Sequence, residues 1–223
     1  MEYEILNIRK TIENEDKAVL QINIKYPVFT GLEAADKINS FYLDIANRFC
    51  DYAEKTSAKK AVTALSAEPE RRPFGEIILP KIVTDDEGKY ISVILDVTSY
   101  DGIFARERRI SQVWDTDTGL LCEYKSVLPL SKKRILSLIA EQIDRELLSN
   151  DIHDYYIDCK RLCKKHFSRR NFFVTKRGIV FYYQSGLLCP QNEGIVCFTI
   201  ERDITLNSKK ADSLSQAENG CRE

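Results

Sequence analysis

Cys159, Cys163 and His166 come nearest, in type and spacing, to a metal site in this chain. On a helix, residues four apart share a face, and His166 follows three positions on. Three such ligands would supply part of a tetrahedral zinc site. The sequence offers no second paired motif to complete it. Both cysteines also fall on the apolar stripe of their helix, where a free thiol packs as a small hydrophobe. Core packing is the stronger expectation and zinc the weaker one, and no cofactor is expected.

Other chemistry is sparser. A nucleophilic serine or cysteine needs an adjacent base, and the only histidines are His153 and His166. There is no Gly-x-Ser-x-Gly elbow, and no phosphate-cradling or dinucleotide glycine loop. Asp85-Asp86, and Asp115 with Asp117, fall in predicted turns, where Asp serves turn geometry without acid–base work. Glu13-Asn14-Glu15-Asp16 reads the same way. These absences argue against an enzyme. The alternative is a small hydrolase whose Asp and His residues are gathered by folding.

Two basic stretches remain. Arg106-Glu107-Arg108-Arg109 is interrupted by acid. Lys160, Arg161, Lys164, Lys165, Arg169 and Arg170 form a denser patch on a predicted helix and the loop after it. Such a patch could face an anionic partner, a nucleic acid or an acidic protein. The formal net charge of -1 supplies no global basic field, so a solvated helix face is favoured and nucleic acid is not.

A chain of 223 residues that is 43% hydrophobic and 30% charged is ordinary for a globular protein. It suits one α+β domain over 1–206, or two lobes with a hinge near 59–73, where Pro69 and Pro73 bracket Glu70-Arg71-Arg72. Residues 207–223 are polar and are expected to be a disordered tail. No apolar run approaches the roughly 20 residues that span a bilayer. The start, Met1-Glu2-Tyr3-Glu4-Ile5, lacks the marks of a signal peptide. As written, the chain is expected in the cytoplasm, or outside it if an export segment is absent here. The seven cysteines are odd in number and scattered, unlike a disulfide framework, which fits a reducing compartment.

The elements follow from periodicity. Tyr3 to Thr11 and Ala18 to Tyr26 read as strands. Thr30 is placed as an N-cap, with Glu33 as its capping-box partner. The helix it opens carries Ala35, Ile38, Phe41, Tyr42, Ile45, Phe49 and Tyr52 on one stripe and runs to about Thr56. Residues 61–67 are either helical or mobile. Phe74 to Leu128 reads as an antiparallel meander: Ile77 to Thr84, Lys89 to Ser99, Ile103 to Trp114 and Leu120 to Val127, with turns between. In the second of these runs Ile91, Val93, Leu95 and Val97 share a face opposite Ser92, Ile94 and Asp96. Ser131 caps a second helix with Ile135, Leu138, Ile139, Ile143 and Leu147 inward. A third is predicted over Asp151 to Phe167. Three strands close the chain: Phe172 to Thr175, Ile179 to Gln184 and Ile195 to Ile200. The expected fold is α+β, an antiparallel β-sheet meander with about three packed α-helices.

Three stretches carry a resemblance to a known family. They are Tyr26-Pro27 with Ile38-Asn39; Gln112-Val113-Trp114-Asp115 with Thr118-Gly119 and Leu128-Pro129-Leu130; and Phe172 to Thr175 with Gly178 to Tyr183, Pro190 and Gly194. From about Ile22 to Ile200 the chain resembles the extracytoplasmic C-terminal module of the RsiV-type lysozyme-sensing anti-sigma factors. Related modules accompany peptidoglycan deacetylase domains in Gram-positive bacteria. The resemblance implies an α+β fold and a non-catalytic module that binds or senses a protein or a cell-wall-related ligand. Where that family carries a tyrosine–acid pair, this chain has Gly186 and Leu187, and Gln191 and Asn192 follow Pro190. The loop of Gly186, Leu187, Pro190, Gln191, Asn192 and Glu193 is thus the candidate ligand-binding segment.

Overall fold

The computed structural model describes residues 1–149 and 153–201, and all that follows concerns them. The tail expected at 207–223 lies outside them, as do Asp151 and Ile152 of the third predicted helix.

The chain opens on a long hairpin of β1 (Glu2–Asn14) and β2 (Lys17–Thr30). Its turn places Glu15 and Asp16 at φ 51° and 60°, the doubly left-handed geometry whose twist matches that of the strands. β2 continues through Pro27, past Ile24 where its pairing with β3 ends, so one side of the strand is open there and the missing N–H is tolerated. The expected Thr30 cap does not form. Helix α1 (Ala35–Tyr52) begins after Ala34 with no side-chain cap. Asn39 instead reaches back to β2: its Oδ1 accepts the Phe29 N–H at 2.7 Å and its Nδ2 donates to the Phe29 carbonyl at 2.9 Å. That clamp holds β2 extended to Thr30 and pushes the helix start downstream. It also gives the Ile38-Asn39 motif a structural task.

The helix does not stop near Thr56. It passes through a π-helical stretch, Ala53–Ser57, into α2 (Ala58–Ala67). This long connection turns the chain back, so that β3 (Phe74–Thr84) pairs parallel with β2, from Leu20 opposite Phe74 to Ile24 opposite Ile78. The sheet is therefore mixed rather than wholly antiparallel, since a parallel neighbour needs a crossover of this kind. β4 (Tyr90–Tyr100) and β5 (Ala105–Asp115) follow as antiparallel neighbours, giving the order β1-β2-β3-β4-β5. The strand expected at Leu120 to Val127 is absent. Leu121 makes a single bridge to Trp114, and the short helix α3 (Tyr124–Val127) follows. There the Tyr124 ring is buried among Phe167, Phe172 and Phe181, a placement a strand would not give it.

Helix α4 (Lys132–Ser149) starts as expected, with Ser131 Oγ accepting the Arg134 N–H at 3.2 Å. Leu147, expected on its buried side, is 49% exposed. The third helix is shorter than its periodicity implied: α5 covers only Cys159–His166. Ahead of it the backbone is used elsewhere. The Tyr156 N–H donates to the Leu188 carbonyl at 2.9 Å, and the Tyr155 hydroxyl donates to Glu146 at 2.5 Å. β6 (Phe172–Thr175), β7 (Gly178–Tyr183) and β8 (Val196–Glu201) form a second, antiparallel sheet.

Four layers result. Ile91, Val93, Leu95 and Val97 face Ile38, Tyr42 and Ala46 of α1. The opposite face of β4 meets the second sheet, with Ile94 against Phe173, Val180 and Tyr182. The far face of that sheet, Ile179, Phe181, Tyr183 and Phe198, packs on α4 and α5. At about 25 cal/mol per Å² of apolar surface removed from water, these three contacts dominate the stability. Two serines fasten the sheets together. Ser92 Oγ accepts the Val174 N–H at 2.8 Å and donates to the Val174 carbonyl at 3.1 Å, and Ser111 Oγ donates to the Phe172 carbonyl at 2.6 Å. The free edge of β6 is thereby closed.

Candidate functional site

Folding scatters most of the residues singled out from sequence. Cys159 and Cys163 are 3% and 2% exposed in the core between α5, α4 and the second sheet. Burial pushes both thiols up, keeping them protonated. The Cys163 Sγ lies 2.9 Å from the Tyr183 hydroxyl. Among the described residues no group of three His, Cys, Asp or Glu side chains is placed to hold a metal ion.

The basic patch divides. Lys160 is paired with Asp144 and Arg161 with Asp158. Lys164, Lys165, Arg169 and Arg170 are exposed, and the last two border a groove along β5. His153 does meet a carboxylate, with Nδ1 at 3.3 Å from Glu193 Oε2. Neither histidine lines that groove or the hollow described next, and no serine or cysteine hydrogen-bonds to the pair among the described residues.

The loop candidates also separate. Leu187 packs onto the core and Glu193 is tied to His153. Pro190 leads into a 3₁₀ turn, Gln191–Glu193, which the Ser185 hydroxyl braces by donating to the Gln191 carbonyl at 2.8 Å. Gly194, at φ 75°, ends it. Gly186 is exposed. Gln191 and Asn192 are exposed too and, with Ser185, form one wall of a hollow of about 560 Å³. Phe104, Arg106 and Glu107 form the other.

That second wall is the free edge of β5, which the sequence marked as a strand and an acid-interrupted basic stretch but not as an open edge. An antiparallel ladder alternates, so every second residue of an edge strand turns its N–H and C=O away from its neighbour. Arg109 and Val113 show which set this is: the Arg109 N–H donates to Gln184 Oε1 at 2.9 Å, and Val113 accepts from the Cys122 N–H at 2.7 Å. Ala105 and Glu107 belong to the same set. Their outward backbone groups have no hydrogen-bond partner among the described residues. Ile103 and Phe104, just before them, are 52% and 68% exposed. The sequence signal was these two apolar residues next to a hairpin turn.

The edge is rigidly backed. Across the ladder, Arg109 Nε and Nη2 reach Asp96 at 2.7 and 2.9 Å in a bidentate pair. That hydrogen-bonded carboxylate raises the guanidinium further above its ordinary value. The same guanidinium lies 5.9 Å from the Tyr182 ring centroid. Gln184 Nε2 completes the clamp by donating to the Arg109 carbonyl at 2.7 Å. The site thus offers two open main-chain rungs, an exposed aromatic ring and a polar loop, all on a fixed frame. No helix of the described residues is long and apolar enough to cross a membrane.

This arrangement sits in a fold shared with known proteins. Residues 129–203, which hold α4, α5 and the second sheet, match the family described as protein of unknown function (DUF3298). A solved structure of a DUF3298 family member from Bacteroides fragilis superposes with a TM-score of 0.63 at 13% identity, covering 91% of each chain. A DUF3298 family protein from Pseudomonas aeruginosa gives 0.58 at 13% identity, covering 90% of each. No curated protein matches the chain. The likeness to both solved proteins is therefore one of fold, spanning both sheets and the helices that flank them.

Proposed function

We propose that this chain is a non-catalytic binding module that takes an extended segment of a protein partner along the free edge of β5. The segment lies in the hollow closed by Ser185, Gln191 and Asn192. The observation that carries the reading is the pair of open rungs at Ala105 and Glu107, with Phe104 exposed beside them. An extended peptide added to such an edge gains main-chain hydrogen bonds, and side-chain pockets give it specificity. Edge strands without a partner are normally blunted; here the Gln184 clamp closes the rung at Arg109 and leaves the two before it open. The resemblance to lysozyme-sensing modules supports a protein as the partner.

The test is selection of a random-peptide display library on the purified chain, followed by titration of the selected peptides. Glu107→Pro removes one outward N–H without touching the ladder to β4. The expected result is selected peptides whose affinity falls several-fold to about tenfold in this variant, with melting unchanged. Recovery of no binding peptide, or equal binding by Glu107→Pro, would overturn the reading.

A further inference from the structure

A second cleft, of about 670 Å³, opens on the other face of the large sheet, between the π-helical stretch and β3 to β5. That size lies in the range of small-molecule sites, roughly 300–1,000 Å³. Its chemistry is layered by depth. At the base, Ser57 is 5% exposed and donates its hydroxyl to Glu76 Oε1 at 2.6 Å, while Ser99 donates to Glu76 Oε2 at 2.6 Å. The two hydroxyls fix the carboxylate and leave each oxygen a free acceptor site. Ser57 closes the π-helical stretch. Such an insertion shifts the helix register locally and recurs at functional sites.

The walls are aromatic: Phe49, Tyr52, Phe74 and Tyr100. Tyr52 was expected in the core at the end of the α1 stripe; it is 52% exposed and stands on this cleft instead. The rim is cationic. Lys60, Arg106 and Arg108 are exposed and line the opening, and none of them takes part in an ion pair among the described residues. Arg108 is held 5.9 Å from the Phe49 ring centroid. The lining carboxylates besides Glu76 are Asp101, engaged by Arg71 at 3.7 Å, and Glu107.

We infer that this cleft is a binding site for a small zwitterion with an aromatic body, of the class of free aromatic amino acids. The ammonium group is met by Glu76 at the base, the ring by the aromatic walls, and the carboxylate by Lys60 and Arg106 at the rim. A plain anion would bring its charge toward Glu76 if it entered fully. A plain cation would have to pass the cationic rim and would leave it unpaired. A ligand that carries both charges beside an aromatic ring answers base, walls and rim together. This inference does not rest on the peptide-binding reading, although Arg106 and Glu107 line both sites.

The test is calorimetric titration with three probes: phenylalanine, phenethylamine and 3-phenylpropionate. Phenylalanine is expected to bind, with each one-charge analogue at least about tenfold weaker, the scale of losing a charge-assisted hydrogen bond. Lys60→Ala, an exposed change on α2, should weaken phenylalanine and leave phenethylamine unaffected. Glu76→Gln should weaken phenylalanine and leave 3-phenylpropionate no weaker. Equal binding of all three probes, no binding of phenylalanine at millimolar concentration, or unchanged affinity in Lys60→Ala would overturn the inference. Peptide binding at the β5 edge should be the same in Lys60→Ala, so the two claims fail separately.

Discussion

The Gln184 side chain holds both backbone groups of Arg109, accepting its N–H at 2.9 Å and donating to its carbonyl at 2.7 Å. One carboxamide thus substitutes for a neighbouring strand at one rung of the β5 edge. It also joins the second sheet to the first where the edge would otherwise run on unpaired. Gln184→Ala should lower unfolding stability by about 1–3 kcal/mol, since the Arg109 N–H loses its partner and the carbonyl keeps only the longer bond from the Tyr182 hydroxyl at 3.4 Å. Urea denaturation with an unchanged slope measures this. A loss near zero would mean that water serves the rung equally well.

Ser92 makes the deeper version of the same contact. It is fully buried and serves both the N–H and the carbonyl of Val174. Ser92→Ala leaves two buried backbone groups unsatisfied and should cost about 2–4 kcal/mol, more than Gln184→Ala, because water cannot enter. The same denaturation series ranks the two. If Ser92→Ala proves the milder change, the sheets are not fastened at this point.

Gly178 turns the chain between β6 and β7 at φ 153°, and a Cβ there would stand 2.2 Å from the Ile200 carbonyl oxygen. Gly178→Ala should therefore destabilise by more than about 2 kcal/mol, through strain and displacement of β8. Thermal melting reads it directly. A melting temperature within a degree or so of the parent would contradict the close approach.

Asp115 stabilises its turn as a charged acceptor. The Thr118 N–H and hydroxyl both donate to it, each at 2.9 Å, and this holds its carboxyl below the usual range. A carboxyl depressed in the folded state contributes stability that is fully present above its unfolded value, about 4. That contribution disappears as the pH falls through the lower, folded value. Stability should accordingly decline below about pH 4, and Asp115→Asn should make the decline shallower. Parallel pH profiles for the two proteins would remove Asp115 from the account.

Much of this architecture is written in short-range pattern. The alternation in β4 assigned Ile91, Val93, Leu95 and Val97 to one layer and Ile94 to another, and the packing follows it. The Ser131 cap and the three closing strands are equally local. What stayed hidden depends on distant partners. Asn39 displaces the helix start because it reaches Phe29, and β3 runs parallel to β2 because a continuous helix returns the chain. The helix ahead of Cys159 is lost to backbone bonding with Leu188. At the site, Gln191 and Asn192 were legible as loop residues beside a proline. Their opposite wall was not, because nothing local links residues 104–107 to a loop some eighty positions later. Whether an edge strand is open depends on which side chain arrives to close it, and Gln184 arrives from 75 residues away.

Amide hydrogen exchange at Ala105 and Glu107, with and without a selected peptide, tests the binding reading most directly. In the free chain both amides face outward with no partner among the described residues and should exchange fast, while Arg109, held by Gln184, is slower. Peptide binding should slow Ala105 and Glu107 and leave Arg109 nearly unchanged. Protection confined to other strands, with Ala105 and Glu107 still exchanging fast in the bound state, would contradict peptide addition at the β5 edge.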